Sequence, residues 1–267
     1  MPKFLLRISL VFGGLLLMTA GLGIGLDLGG GRALWPWPDG RLSYIFVSSI
    51  LLAEATVMLW QASTLELSAA KGGAVGFLAM NLCLAAFMFN RFADKPETMV
   101  LVWALVCSLL ACSAVILLLQ PAKRFPSQDT RPTPPIVRWS FLVFAGALFT
   151  ATTMLILKLP IVFPWPLKPE SSVVFGFLFL ASAVYFFDGF LRPSWANAKG
   201  QLLGFLIYDL VLIAPWLAHF PKSAGGFRIS LSIYIIVLVW SGVLAIYFLF
   251  MNPKTRLQLT RAVQVSA

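Results

Sequence analysis

The sequence predicts an all-α fold: a polytopic transmembrane helical bundle of about eight spans, arranged as two parallel four-helix repeats. Three observations carry this. Hydrophobic residues fill 60% of the 267 positions and charged ones only 11%, with a mean hydropathy of +0.89, which is too little charge to cover a soluble surface. Eight apolar runs, near 5–27, 43–63, 72–90, 98–120, 139–158, 172–190, 201–219 and 229–250, are each long enough to cross about 30 Å of hydrocarbon. Two aromatic-proline loops, Leu34-Trp35-Pro36-Trp37-Pro38 and Val162-Phe163-Pro164-Trp165-Pro166, stand 128 residues apart.

Each run reads as a helix, because lipid leaves no backbone group unpaired and the runs are too long for barrel strands. The first follows Lys3 and Arg7, as a secretory signal would, and Thr19, Ala20 and Gly21 offer small residues for cleavage. Its length and its reappearance later in the chain favour a mature helix. The net charge of +10 sets topology here and does not point to nucleic acid. Taking loop ends alternately, twelve Lys and Arg fall on the side of both termini and eight on the other, so both termini are expected in the cytoplasm.

Bringing the two loops into register aligns their flanks. Leu52-Ala53 falls on Leu180-Ala181, Ala70-Lys71-Gly72 on Ala198-Lys199-Gly200, Gly76-Phe77-Leu78 on Gly204-Phe205-Leu206, and Asn81 on Asp209. Upstream, Leu10 to Gly14 matches Leu142 to Gly146 after a four-residue shift. Four spans per half give both halves one orientation, related by an axis along the membrane normal. The repeats are expected at 1–120 and 139–251, joined by a Pro- and charge-rich cytoplasmic linker at 121–138 and followed by a cytoplasmic tail at 252–267. Trp35, Trp37 and Trp165 suit the headgroup level as interface anchors, or roof a vestibule formed by both halves. The prolines beside them stop helices.

The stretch Phe163-Pro164-Trp165-Pro166-Leu167-Lys168-Pro169, followed by an apolar span, resembles uncharacterised bacterial polytopic membrane proteins in which Trp-Pro-Leu-x-Pro precedes a transmembrane helix. The resemblance runs from Phe163 to about Tyr185. An echo at Trp35 to Val57 has Asp39-Gly40 where the second loop has Leu167-Lys168. It implies a bacterial inner membrane and assigns no residue roles.

Ionisable groups inside spans are costly and point to a pathway or a partner. Glu54 lies near the centre of its run, and its counterpart in the other half is Ser182. Asn81 and Asp209 share one repeat position, about 15 Å into their helices. If those helices face the pseudo-two-fold axis, the two side chains meet near the midplane, either to hold a cation or proton or simply to bond two helices. Glu54, Asn81 and Asp209 are therefore the candidate intramembrane polar site. Asp188, and His219 beside Pro215-Trp216, are lesser candidates. Gly21 and Gly25 form a GxxxG surface for close helix packing.

The chain has no GxSxG, HExxH or Walker pattern, and Cys83, Cys107 and Cys112 show no ligand spacing. With one His and no soluble domain, neither catalysis nor a cofactor or metal is expected. An integral membrane protein of structural or accessory type is the leading expectation, and a small-solute or proton-coupled transporter with a polar site between the repeats is the alternative. The expected partners are membrane lipids, with another membrane protein or a second copy as further candidates, and no nucleic acid.

Overall fold

The computed structural model describes residues 3–35, 37, 39–120, 127 and 129–257. Pro36, Pro38, linker residues 121–126 and 128, and the tail from 258 onward lie outside the described residues. Among the described residues, eight helices are long and apolar enough to cross a membrane. They are α1 (Lys3–Leu26), α2 (Arg41–Thr64), α3 (Ala69–Asp94), α4 (Thr98–Leu118), α5 (Pro135–Ile156), α6 (Pro169–Leu191), α7 (Trp195–His219) and α8 (Gly225–Ile246). The architecture is all-α, as composition and run length require.

The helix ends follow local chemistry. Pro135 and Pro169 occupy the first turns of α5 and α6, where the missing N–H leaves no bond unmade. The α5 helix therefore starts four residues before the expected span. Ser194 caps α7 by accepting the backbone N–H of Asn197 at 3.4 Å. After α1 the chain turns through Asp27, Gly29 and Gly30, all at positive φ, into a short 3-10 turn, Leu28–Leu34. Two adjacent glycines make this left-handed path accessible. Pro215 lies inside α7, which ends in the 3-10 turn Phe220–Lys222.

Helices adjacent in sequence pack as antiparallel pairs: α1 on α2, α3 on α4, α5 on α6 and α7 on α8. The pairs are joined crosswise, α2 against α7 and α3 against α6, whereas α2 touches α3, and α6 touches α7, only lightly. Close approach uses small residues. Gly76 of α3 lies so near Ala181 of α6 that a methyl group would collide with the Ala181 carbonyl. Gly21 lies against Leu51 and Leu52, and the Ser48 hydroxyl donates to the Gly21 carbonyl at 2.7 Å, so the glycine surface of α1 serves the α2 contact. Large apolar side chains on α1 and α4 remain uncovered, as lipid-facing surfaces would.

Candidate functional site

The α2 and α6 helices hardly touch as backbones, yet their side chains meet near the aromatic-proline loops, and side chains of both flank Gly200 of α7. At the end carrying the aromatic-proline loops, Phe46 of α2 meets Phe175 and Phe179 of α6, with ring centroids 4.9 and 5.6 Å apart. Phe163 from the second loop joins them, 4.8 Å from Phe46 and 5.6 Å from Phe179. At the other end, Tyr185 of α6 and Val57 and Trp60 of α2 converge on Gly200 of α7.

Glu54 lies in between. On α2 it is three residues from Val57 and seven from Val47, so all three share one side of the helix. Ser182 likewise shares a side of α6 with Phe175, whose ring packs on Phe46 of α2, and with Tyr185, whose hydroxyl lies beside Gly200 of α7. Ile50, Glu54, Val57, Leu178, Ser182 and Tyr185 are each half-buried. The Ser182 hydroxyl turns to its own helix, donating to the Leu178 carbonyl at 3.3 Å. Glu54 has no hydrogen-bond or ion-pair partner among the described residues.

The end of α6 farther from the aromatic-proline loops is polar. Gln201 of α7 donates to the Tyr185 carbonyl at 2.6 Å, and Asn197 donates to the Asp188 carboxylate at 3.2 Å. Arg192 pairs with the same carboxylate. Three buried oxygens here have no partner: Asn197 Oδ1, Gln201 Oε1 and Tyr185 Oη. Lys199 stands 5.7 Å from the Trp60 ring, and Asp129 of the linker holds it at 2.7 Å. Burial pulls the Asp129 carboxyl upward, but hydrogen bonds from Arg131 and Lys199 outweigh it and hold the group well below the usual carboxylate range.

The candidates drawn from the sequence occupy three separate places. Asp209 is buried and turns to α8, where Ser241 donates to its Oδ2 at 2.9 Å and its Oδ1 has no partner. Asn81 is buried and donates to the Phe77 carbonyl of its own helix at 2.8 Å. No hydrogen bond joins the two among the described residues. The expectation rested on their equivalent repeat positions, but the face that bears Asp209 is the one that packs on α8. Glu54, on the side of α2 that carries Val57, lies apart from both. Sequence reading missed Tyr185, Trp60 and Gln201, since a tyrosine, a tryptophan or a glutamine within an apolar run carries no signal until the facing helix is known.

The loop tryptophans turn inward. Trp165 is buried and donates from Nε1 to the Ser43 hydroxyl at 2.9 Å, tying the second loop to α2. Trp35 packs 5.8 Å from Phe175, tying the first loop to α6, and Trp37 packs 6.1 Å from Phe87. Each loop thus reaches across to the other half and packs on the aromatic cluster at this end. Nearby, burial pushes the Asp39 carboxyl up, while the Ser171 and Ser43 hydroxyls and Lys168 favour its charged form. Arg32 pairs with Asp27 at 3.1 Å and lies 5.2 Å from the Tyr44 ring.

Among the described residues no group of three or more His, Cys, Asp or Glu is placed to hold a metal ion. Cys83, Cys107 and Cys112 are free thiols. No protein-family model matches the chain, and neither a curated protein nor a solved structure matches it significantly.

Proposed function

We propose that the chain is a small-solute transporter of a bacterial inner membrane, with its solute site at Glu54 of α2 and with both termini in the cytoplasm. Glu54 carries this reading. A charged carboxylate without a partner at mid-bundle costs several kcal/mol, which an apolar side chain at the same position would avoid. A purely structural or accessory helix has no use for it, so the internal polar groups favour transport over the leading expectation from composition. We assign no catalytic step to the chain.

The two halves, in this reading, are parallel four-helix repeats. The helix pairings support it: α1 on α2 corresponds to α5 on α6, α3 on α4 to α7 on α8, and α2 on α7 to α6 on α3. The Glu54 position then lies between packed rings towards the aromatic-proline loops and hydrogen bonds towards the opposite end. Rocking one repeat against the other would open either closure while keeping its opposite shut, which is the requirement of alternating access.

The test is counterflow in proteoliposomes across a panel of labelled small solutes. At least one solute should exchange faster than in empty vesicles, and Glu54→Gln should remove that exchange while the protein stays monodisperse. The reading fails if no solute exchanges while a stoichiometric protein partner leaves the membrane with the chain in mild detergent. That result would return the chain to an accessory role.

A further inference from the structure

Oxygen-bearing side chains gather where α3 packs against the end of α6 and the start of α7, apart from Glu54 and independent of the transport reading. Tyr185 and Asp188 share one side of α6, and Asn197 and Gln201, four residues apart, share one side of α7. Asn197 and Gln201 are only 6% and 1% exposed. Each spends its amide nitrogen, the first on the Asp188 carboxylate at 3.2 Å and the second on the Tyr185 carbonyl at 2.6 Å. Each keeps a buried amide oxygen with no partner. The facing residue of α3 is a glycine. A methyl group at Gly72 would lie 2.8 Å from Asn197 Oδ1 and 3.0 Å from Asp188 Oδ2, so oxygens from two helices converge on a point of the third that carries no side chain.

A buried oxygen without a donor costs free energy that a bound water or cation recovers. Carboxylate and amide oxygens suit a hard cation, and amide carbonyls replace the hydration shell of an alkali ion. Charge selects a monovalent one. Asp188 supplies the carboxylate and already shares it with Arg192, while Asp129 is committed to Arg131 and Lys199, so a divalent ion would stay uncompensated. Arg192 donates to Oδ1 from Nε at 2.8 Å and is 55% exposed, a screened and weak pairing that leaves Oδ2 turned towards Asn197 and Gly72. We propose that the junction of α3, α6 and α7 binds a monovalent alkali cation between Asp188 Oδ2 and Asn197 Oδ1, with water completing its shell.

The test is thermal unfolding of the full chain in detergent, titrated with sodium or potassium chloride against N-methylglucamine chloride at constant ionic strength. A cation bound only by the folded chain should raise Tm saturably, and N-methylglucamine, too large for the site, should not. Asp188→Asn and Asn197→Ala should each weaken the half-saturating concentration at least about tenfold, and Glu97→Gln, at an exposed carboxylate, should leave it unchanged. Arg192→Gln removes the competing cation and should tighten it at least about threefold, whereas a purely structural ion pair would lower Tm without moving the ion dependence. If Asp188→Asn fails to fold, Arg192→Gln and the unaltered chain still decide. A Tm indifferent to both alkali ions overturns the proposal and leaves the two oxygens to water. So does an ion dependence that survives in Asp188→Asn and disappears in Glu54→Gln, which would place the ion on α2.

Discussion

One carboxylate oxygen, Asp209 Oδ1, is buried without a partner while its twin accepts the Ser241 hydroxyl. That asymmetry suits a group that holds a proton on the free oxygen. Asn at this position keeps an acceptor for Ser241 and removes the exchangeable proton. Asp209→Asn is therefore expected to assemble normally but to lose any solute flux driven by a pH gradient, read with a pH dye inside proteoliposomes. Flux that follows the gradient unchanged would exclude Asp209 as the coupling group. Ser241→Ala removes the one donor and should cost about 1 kcal/mol, seen as a lower Tm in detergent. Glu54 differs in kind, since replacing it should change binding far more than stability.

Among the helices, the crosswise contacts decide whether the halves can move. Gly76 and Gly73 are three residues apart on α3, yet a side chain at 76 strikes the Ala181 carbonyl while one at 73 meets open space. Gly76→Leu should force α3 from α6 and lower Tm by several degrees, or prevent assembly. Gly73→Leu should leave Tm within about a degree, since nothing there has to shift. Equal effects of the two would mean that α3 and α6 do not meet as described. The same logic explains why the glycine-rich face of α1 is spent on α2. Ser48 and Leu52 already occupy it.

Across the molecule, the two faces are held by different forces. The end bearing the aromatic-proline loops is a cluster of rings, with pairs of this kind worth about 0.5–1.5 kcal/mol each beyond burial. The opposite end is a polar clamp. Asp129 joins Arg131 and Lys199 at 2.7 Å each, Arg131 donates to the Lys254 carbonyl at 2.6 Å, and Trp195 donates to the Thr255 carbonyl at 2.9 Å. Because the Asp129 pKa is lowered on folding, its contribution is complete above the ordinary carboxylate value and is lost as pH falls through the lowered one. The clamp therefore holds at neutral pH and loosens only in strong acid. Asp129→Asn should loosen it at any pH, with trypsin cutting after Lys254 or Arg256 several-fold faster than in the unaltered chain. Unchanged cleavage would show that the backbone bonds alone hold the tail.

The membrane class and the eight helices were legible in the residues. Hydropathy and run length follow from local composition, and lipid leaves a long apolar run no choice but helix. Boundaries such as Pro135 and Pro169 moved by a few residues, because Pro-rich chain before a span looks like linker until its first turn closes. Which polar groups meet was not legible. The repeat aligned Asn81 with Asp209 and suggested that they touch, but an offset in sequence says nothing about which side of a helix faces its neighbour. The crossing of α2 on α7 and of α3 on α6 turns Asp209 to Ser241 and leaves Glu54 without a hydrogen-bond or ion-pair partner among the described residues. Those crossings depend on the close approach of Gly76 and Gly200 to helices more than 100 residues away in sequence, and such long-range steric fit leaves no periodic trace along the chain.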